Sequence, residues 1–222
     1  MNANGFEKLH GIDEMDEKQV LTLCRTAEWL TRQKLSGTIE LYRPVKVQTG
    51  RTPRQTGARR IRRTNVMKRI GILGAGTWGM ALARMLTVSG NDVLVWSAIE
   101  KEIDSLSTTR KHPNLPQMKI PDELRFTKSI EEVCKDKDIL LFAVPSVFVR
   151  STAAKARPYV ADGQIIVDVA KGIEPDTLYT MTEILADELG KEGGPKGVRL
   201  VALSGPTHAE EVAIDLPTTI VS

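Results

Sequence analysis

The stretch Gly74-Ala-Gly76-Thr-Trp-Gly79 offers main-chain N–H groups where larger side chains would stand in the way, and that suits it to anion binding. It directly follows the apolar run Arg69-Ile-Gly-Ile-Leu73. Ala81, Leu82, Met85 and Leu86 then recur at helical spacing up to a stop at Gly90. In a strand, loop and helix of this kind, Gly74 makes the tight turn, Gly76 lets the backbone approach a pyrophosphate, and Gly79 lets the helix lie close to the strand. The helix N-terminus adds unbonded N–H groups and the positive end of its dipole. A ligand-free turn can use the same glycines, so it is the strand before and the helix after that favour a dinucleotide site.

Three further groups stand where apolar runs end: Val144-Pro145-Ser146, Ala170-Lys171-Gly172 and Ser204-Gly205-Pro206-Thr207. Lys171 follows "IIVDVA" at once, so its ammonium emerges at a strand end, where a fixed positive charge can meet a phosphate or polarise a carbonyl. A solvated loop lysine is the plainer alternative. Gly205 and Thr207 lie in a strand-to-helix turn whose free N–H groups and hydroxyl suit an anion, although Gly-Pro-Thr is also ordinary turn chemistry with Thr as a helix cap. His208 is read as a packed or solvated neighbour without a catalytic role. Ser97 ends the run Val93-Leu-Val-Trp96, where an acid would bind the ribose hydroxyls of NAD and repel the extra phosphate of NADP. Ser97, Ala98 and Ile99 carry no charge, and Glu100 falls inside the next helix, so the reading is NAD(P)H with a lean toward NADP(H).

The elements that must position these groups alternate along the chain. A helix near Ile130–Lys135, opened by a Ser129/Glu132 capping box, precedes a strand at 139–144, a helix at 147–159 and a strand at 165–170. A helix at 178–189, a strand at 200–203, a short helix from Thr207 and a last strand at 218–221 complete the pattern. Near-continuous apolar strands between amphipathic helices predict an α/β fold, a Rossmann-like doubly wound and mostly parallel sheet covered on both faces. Ligands in such sheets gather beyond the carboxyl ends of the strands.

The whole chain of 222 residues is 41% hydrophobic and 27% charged, the composition of an ordinary globular protein. Its net charge of +3 is unevenly placed: residues 1–66 hold 13 Lys and Arg against 7 Asp and Glu, and residues 67–222 hold 18 against 21. Cys24 and Cys134 have neither a pairing pattern nor a metal spacing and fit a reducing cytoplasm. The run "ILLFAVP" is too short to cross a bilayer, and the first thirty residues lack the order of a signal peptide. Within residues 1–66 a helix is possible over 13–35. The Arg-, Lys- and Thr-rich stretch from Arg43 to Arg63 has almost nothing apolar and reads as disordered rather than as a nucleic-acid arm. Arg62-Arg63, encoded as AGG-AGG, would be a ribosome-binding sequence just before Met67. Residues 1–66 are therefore expected to be a disordered extension or translated upstream sequence, and 67–222 the dinucleotide-binding domain.

The ordered set "GILGAGTWGMALA", "VLVWS", "LLFAVPS", "VDVAKGIEPDT" and "LSGPTHAEEVAIDLPTTIV" resembles the bacterial NAD(P)-dependent glycerol-3-phosphate dehydrogenases from Met67 to Ser222. The last two motifs carry the specificity, since many dinucleotide-binding proteins share the first. The resemblance implies that Gly74, Gly76, Thr77, Trp78, Gly79, Ser97, Pro145, Lys171 and Ala209 serve the cofactor, and that Lys171, Gly205 and Thr207 serve the substrate. The implied reaction is reversible hydride transfer between the nicotinamide and dihydroxyacetone phosphate, giving sn-glycerol 3-phosphate for phospholipid synthesis in the cytoplasm. It further implies a small-molecule substrate, no nucleic acid, no membrane insertion, no metal, and a homodimer as one possible state of the full-length enzyme.

Some positions depart from the family pattern. Arg110–Pro116 is a residue shorter than usual, Ala98 replaces a common basic residue, and His208 replaces a common phenylalanine. The resemblance implies a helical C-terminal domain bringing the lysine that protonates the substrate oxygen, and that domain is expected to be missing from this chain. The chain as given is therefore expected to contain no catalytic acid, to bind dinucleotide with little turnover, and to expose apolar surface that favours self-association. The alternatives are a non-catalytic dinucleotide-binding module and a related dehydrogenase of another oxo-substrate.

Overall fold

A computed structural model of the protein describes residues 67–222, and the readings made for residues 1–66 lie outside the described residues. Six strands form one sheet: β1 (Arg69–Leu73), β2 (Asp92–Trp96), β3 (Arg125–Thr127), β4 (Ile139–Phe142), β5 (Ile165–Asp168) and β6 (Arg199–Ala202). Their order is β3-β2-β1-β4-β5-β6, and every pairing is parallel. The order in which successive strands are added reverses between β1 and β4, which is the switch point of a doubly wound sheet.

Successive side chains on a strand face opposite sides of the sheet. Ile70, Ile72, Ile139, Leu141, Ile165 and Val167 enter one core with α1 (Thr77–Val88) and α2 (Glu100–Thr109). Leu73, Leu140, Phe142 and Ile166 enter the other with α3 (Ile130–Cys134), α4 (Val149–Ala156) and α5 (Met181–Leu189). Both faces are apolar and both are covered, so the strands read as unbroken hydrophobic runs. The four residues expected to line α1's inner face, Ala81, Leu82, Met85 and Leu86, are all buried.

Several boundaries differ from the sequence reading. β3 is three residues long, too short to leave a period, and it pairs only with β2 at the edge. The helix expected from Leu178 begins at Met181, because Leu178 has φ +60° and Thr180 with Glu183 forms a complete capping box. At Ser129 the box is half made: its hydroxyl accepts the Glu132 N–H, while the Glu132 carboxylate takes the Thr127 hydroxyl instead. The segment 147–159 is α4 flanked by 3-10 turns, the second containing Pro158. The helix after β6 is α6 (Ala209–Val212), with His208 at its N-cap instead of Thr207.

The strand expected at 218–221 is a single antiparallel bridge, Ser204 with Val221. Gly205 follows with φ +150°, a conformation that carries the chain off the ladder after one residue. Ahead of Val221, the Arg84 guanidinium on α1 holds Asp215 through two bonds of 2.7 and 2.9 Å, fastening this last stretch to the sheet's helical layer.

Candidate functional site

Thr127, Trp96, Leu73, Phe142, Asp168 and Ala202 are register partners, so the six strands end in one row. The ladder continues one residue further, with Gly74 N–H on the Trp96 carbonyl at 2.8 Å, Ala143 on Leu73 at 2.8 Å, Val169 on Phe142 at 3.0 Å and Leu203 on Asp168 at 2.8 Å. Ser97 and Gly74 come directly after their strands, and Pro145, Lys171 and Gly205 each come three residues after theirs. The structure thus brings all five of these sequence-predicted positions to the carboxyl edge of one sheet.

The three glycines of the first loop differ in a way that matches their expected tasks. A Cβ on Gly74, at φ +123°, would lie 2.6 Å from the Ala143 carbonyl group, and one on Gly79 would lie 2.1 Å from the Gly74 oxygen. One on Gly76 would meet nothing within 4 Å. The first two close the turn, and the third leaves its outer side open to a ligand. No side chain caps α1, and its first turn contains no acid, so its leading N–H groups face outward without a competing anion. Thr77 and Trp78 begin this helix half-buried, and Trp78 packs on the same core cluster as Ala209 at the start of α6.

Lys171 is exposed, and its Nζ donates to the Gly205 carbonyl at 3.0 Å. Among the described residues no carboxylate pairs with it. The Thr207 N–H also donates to the Gly205 carbonyl, at 2.9 Å, so the free amide expected there is engaged in this conformation and the hydroxyl is what Thr207 has to offer. Gly205 fits because a side chain would stand 2.3 Å from the Thr219 oxygen.

Ser97 corrects the sequence reading. It is buried, and its hydroxyl donates to the Glu102 carboxylate at 2.5 Å while accepting the Ile99 N–H. An acid therefore does stand at the end of β2, delivered by the first turn of α2. The signal was present: Thr127 and Glu132 repeat the same spacing and the same 2.5 Å bond after β3.

Other titratable groups have shifted ionisation or are buried. Burial pushes the Asp168 carboxyl up to about 6, although the Ala170 N–H at 3.2 Å pulls the other way. His112, in the 110–116 loop to which no contact was assigned, is buried, and burial lowers its pKa against the opposing pull of Glu102 and the Ala75 carbonyl. Glu174 of the "AKGIE" motif is held at about 2 by the Arg150 guanidinium, aided by the Thr177 hydroxyl. Cys134 is buried, and that burial raises its thiol to about 12, so it is no nucleophile. Among the described residues no cluster suits a metal ion, and no helix is long and apolar enough to cross a membrane.

The geometry suits an extended anionic ligand that spans the glycine loop and reaches Lys171. Comparison with known proteins agrees. Residues 69–222 match the family model described as NAD-dependent glycerol-3-phosphate dehydrogenase N-terminus. The chain is 69% identical over 156 residues to glycerol-3-phosphate dehydrogenase (NAD(P)+) 2 of Lactobacillus delbrueckii subsp. bulgaricus, covering 70% of this chain and 46% of that protein. It is 48% identical over 157 residues to glycerol-3-phosphate dehydrogenase (NAD(P)+) of Agathobacter rectalis, covering 70% and 45%. The crystal structure of glycerol-3-phosphate dehydrogenase from Coxiella burnetii superimposes with a TM-score of 0.60 at 30% identity, covering 69% of this chain and 46% of that one. The chain spans about half the length of the curated relatives it matches. With its glycine loop, its strand order and the match over residues 69–222 in agreement, this chain belongs to the NAD-dependent glycerol-3-phosphate dehydrogenase family, in the family's N-terminal part.

Proposed function

We propose that this chain is the dinucleotide-binding part of an enzyme that moves a hydride reversibly between NAD(P)H and dihydroxyacetone phosphate, giving sn-glycerol 3-phosphate. The observation that carries the reading is the common edge: the glycine loop follows β1 and Lys171 follows β5, in the same strand row with only β4 between them. When bound, the dinucleotide supplies or accepts the hydride. Gly76 and the first N–H groups of α1 hold its pyrophosphate, with Thr77, Trp78, Pro145 and Ala209 along its length. Lys171 contributes positive charge near the carbonyl and the phosphate, and Gly205 with the Thr207 hydroxyl holds the phosphate.

Charge grows on the carbonyl oxygen during hydride transfer, and protonating it calls for an acid. We assign no residue of this chain to that task. Residues 67–222, read as one dinucleotide-binding domain, are expected to bind without appreciable turnover when alone. A small-molecule substrate and a cytoplasmic setting accompany this reading, as does a homodimer for the whole enzyme. On cofactor choice, the lean toward NADP(H) rested on an uncharged end of β2, and Glu102 beside Ser97 weighs against it.

Titrating NADH and NADPH against the chain by fluorescence, with and without glycerol 3-phosphate, tests the proposal. Micromolar binding of either dinucleotide, tightened or supplemented by the phosphate ester, supports it. Failure of both dinucleotides to bind overturns it, and binding that ignores glycerol 3-phosphate favours a dinucleotide module without this substrate.

A further inference from the structure

The ten residues from Lys171 to Thr180 form a loop closed on itself by several internal bonds. Ile173 bridges Thr180, the Glu174 N–H donates to the Tyr179 carbonyl at 2.9 Å, and the Leu178 N–H donates back to the Glu174 carbonyl at 2.9 Å. The Thr177 hydroxyl closes on the Glu174 carboxylate at 2.6 Å. These contacts shape the loop but do not orient it on the protein. That requires a link to another element, and the strongest is a two-pronged one: Arg150 on α4 places Nε and Nη2 each 2.7 Å from the two Glu174 oxygens. Its remaining nitrogen Nη1 reaches Asp187 on α5. A planar guanidinium meeting a carboxylate through two parallel bonds fixes direction as well as distance.

The anchor lies where it can matter. Arg150 follows Pro145 and Ser146 on the same segment, and Glu174 lies three residues beyond Lys171. Between them the loops touch: a Cβ on Gly172, at φ +146°, would lie 3.1 Å from the Ser146 Cβ. The clamp therefore joins the segment assigned to the cofactor with the loop that presents the ammonium. We propose that Arg150 is a positioning residue for Lys171, acting through Glu174, a role that rests on the reading of Lys171 given above.

Competitive acylation of the full chain, read lysine by lysine by mass spectrometry, tests the positioning without any ligand. In Arg150→Met the Lys171 amine should react about fivefold faster or more, as expected of a loop released by local opening, while exposed Lys101 and Lys155 are unchanged. Arg150→Lys should restore only part of the protection, since one ammonium cannot replace the fork. Glu174→Gln removes the charge from the loop side and should repeat the Arg150→Met result, which covers the case where that variant folds poorly. Unchanged Lys171 reactivity in a folded variant overturns the proposal, as does an equal rise at all lysines, which marks general loosening. Glycerol 3-phosphate binding separates the two layers. If Lys171→Met and Arg150→Met each weaken it and the double variant is no weaker than Lys171→Met, the positioning role stands. If Lys171→Met binds as the parent does while Arg150→Met still alters Lys171 labelling, the assignment of Lys171 fails and the loop clamp survives as geometry.

Discussion

The Nζ of Lys171 rests on the carbonyl oxygen of Gly205 at 3.0 Å, joining the loop after β5 to the turn after β6. Two of the three residues assigned to the substrate thus occupy each other in this conformation, and a phosphate would have to take over the ammonium. Lys171→Met should weaken glycerol 3-phosphate by about tenfold or more, the usual worth of a charge-assisted contact, and the dinucleotide, which Lys171 also serves, by less. Paired titrations of the two ligands measure it, and equal losses for both would contradict the assignment.

Gly76 and Gly79 separate folding from binding. Gly79→Ala places a methyl group 2.1 Å from the Gly74 oxygen and should destabilise by roughly 2–4 kcal/mol or prevent folding, as overpacking and backbone displacement do. Gly76→Ala meets no atom within 4 Å, so its thermal midpoint should stay within a few degrees while NADH affinity falls at least about tenfold. Melting curves alongside NADH titrations check both, and unimpaired binding by a folded Gly76→Ala protein would argue against pyrophosphate at this loop.

Asp168 makes stability depend on pH in a stated direction. Its native carboxyl ionises at about 6 against an ordinary 3.8, so between those values the folded state holds the proton more tightly than the unfolded chain does. Its contribution therefore falls as pH rises through that window and stays low above it. Asp168→Asn keeps an oxygen for the Ala170 N–H and should stabilise the protein at pH 7.5 by about 1–3 kcal/mol, with little gain near pH 4. Urea melts at the two pH values decide the matter, and an equal difference at both would remove Asp168 as the source.

Glu102 bears on which dinucleotide is favoured. If its carboxylate lies near the adenosine ribose, Glu102→Gln should improve NADPH affinity relative to NADH by about tenfold, the scale of one removed like charge. A ratio that does not move would place the carboxylate away from the ribose, as a helix-capping group alone.

The sheet and the glycine loop were legible because they rest on short-range signals. Apolar runs marked β1, β2, β4, β5 and β6, and glycine spacing marked the turn into α1. What escaped depended on contacts between segments distant in sequence. β3 is three residues that become a strand only beside β2, and residues 218–221 look like a strand but meet a single partner at Ser204. Lys171 could be placed at its edge from "IIVDVA" alone, whereas its anchor could not, because Arg150 and Glu174 are 24 residues apart and nothing local pairs them. The surroundings of Ser97 escaped for a related reason: the Glu102 carboxylate lies five positions onward and folds back to it.

The level row of strand ends has a consequence for how such proteins can diverge. Since the six strands stop together, the depth at which each following group stands is set by the length of its own connection, counted from a shared baseline. Adding a residue to one connection would shift that group by about 3 Å and leave its neighbours where they were. New specificities could then arise one segment at a time, with the central scaffold untouched.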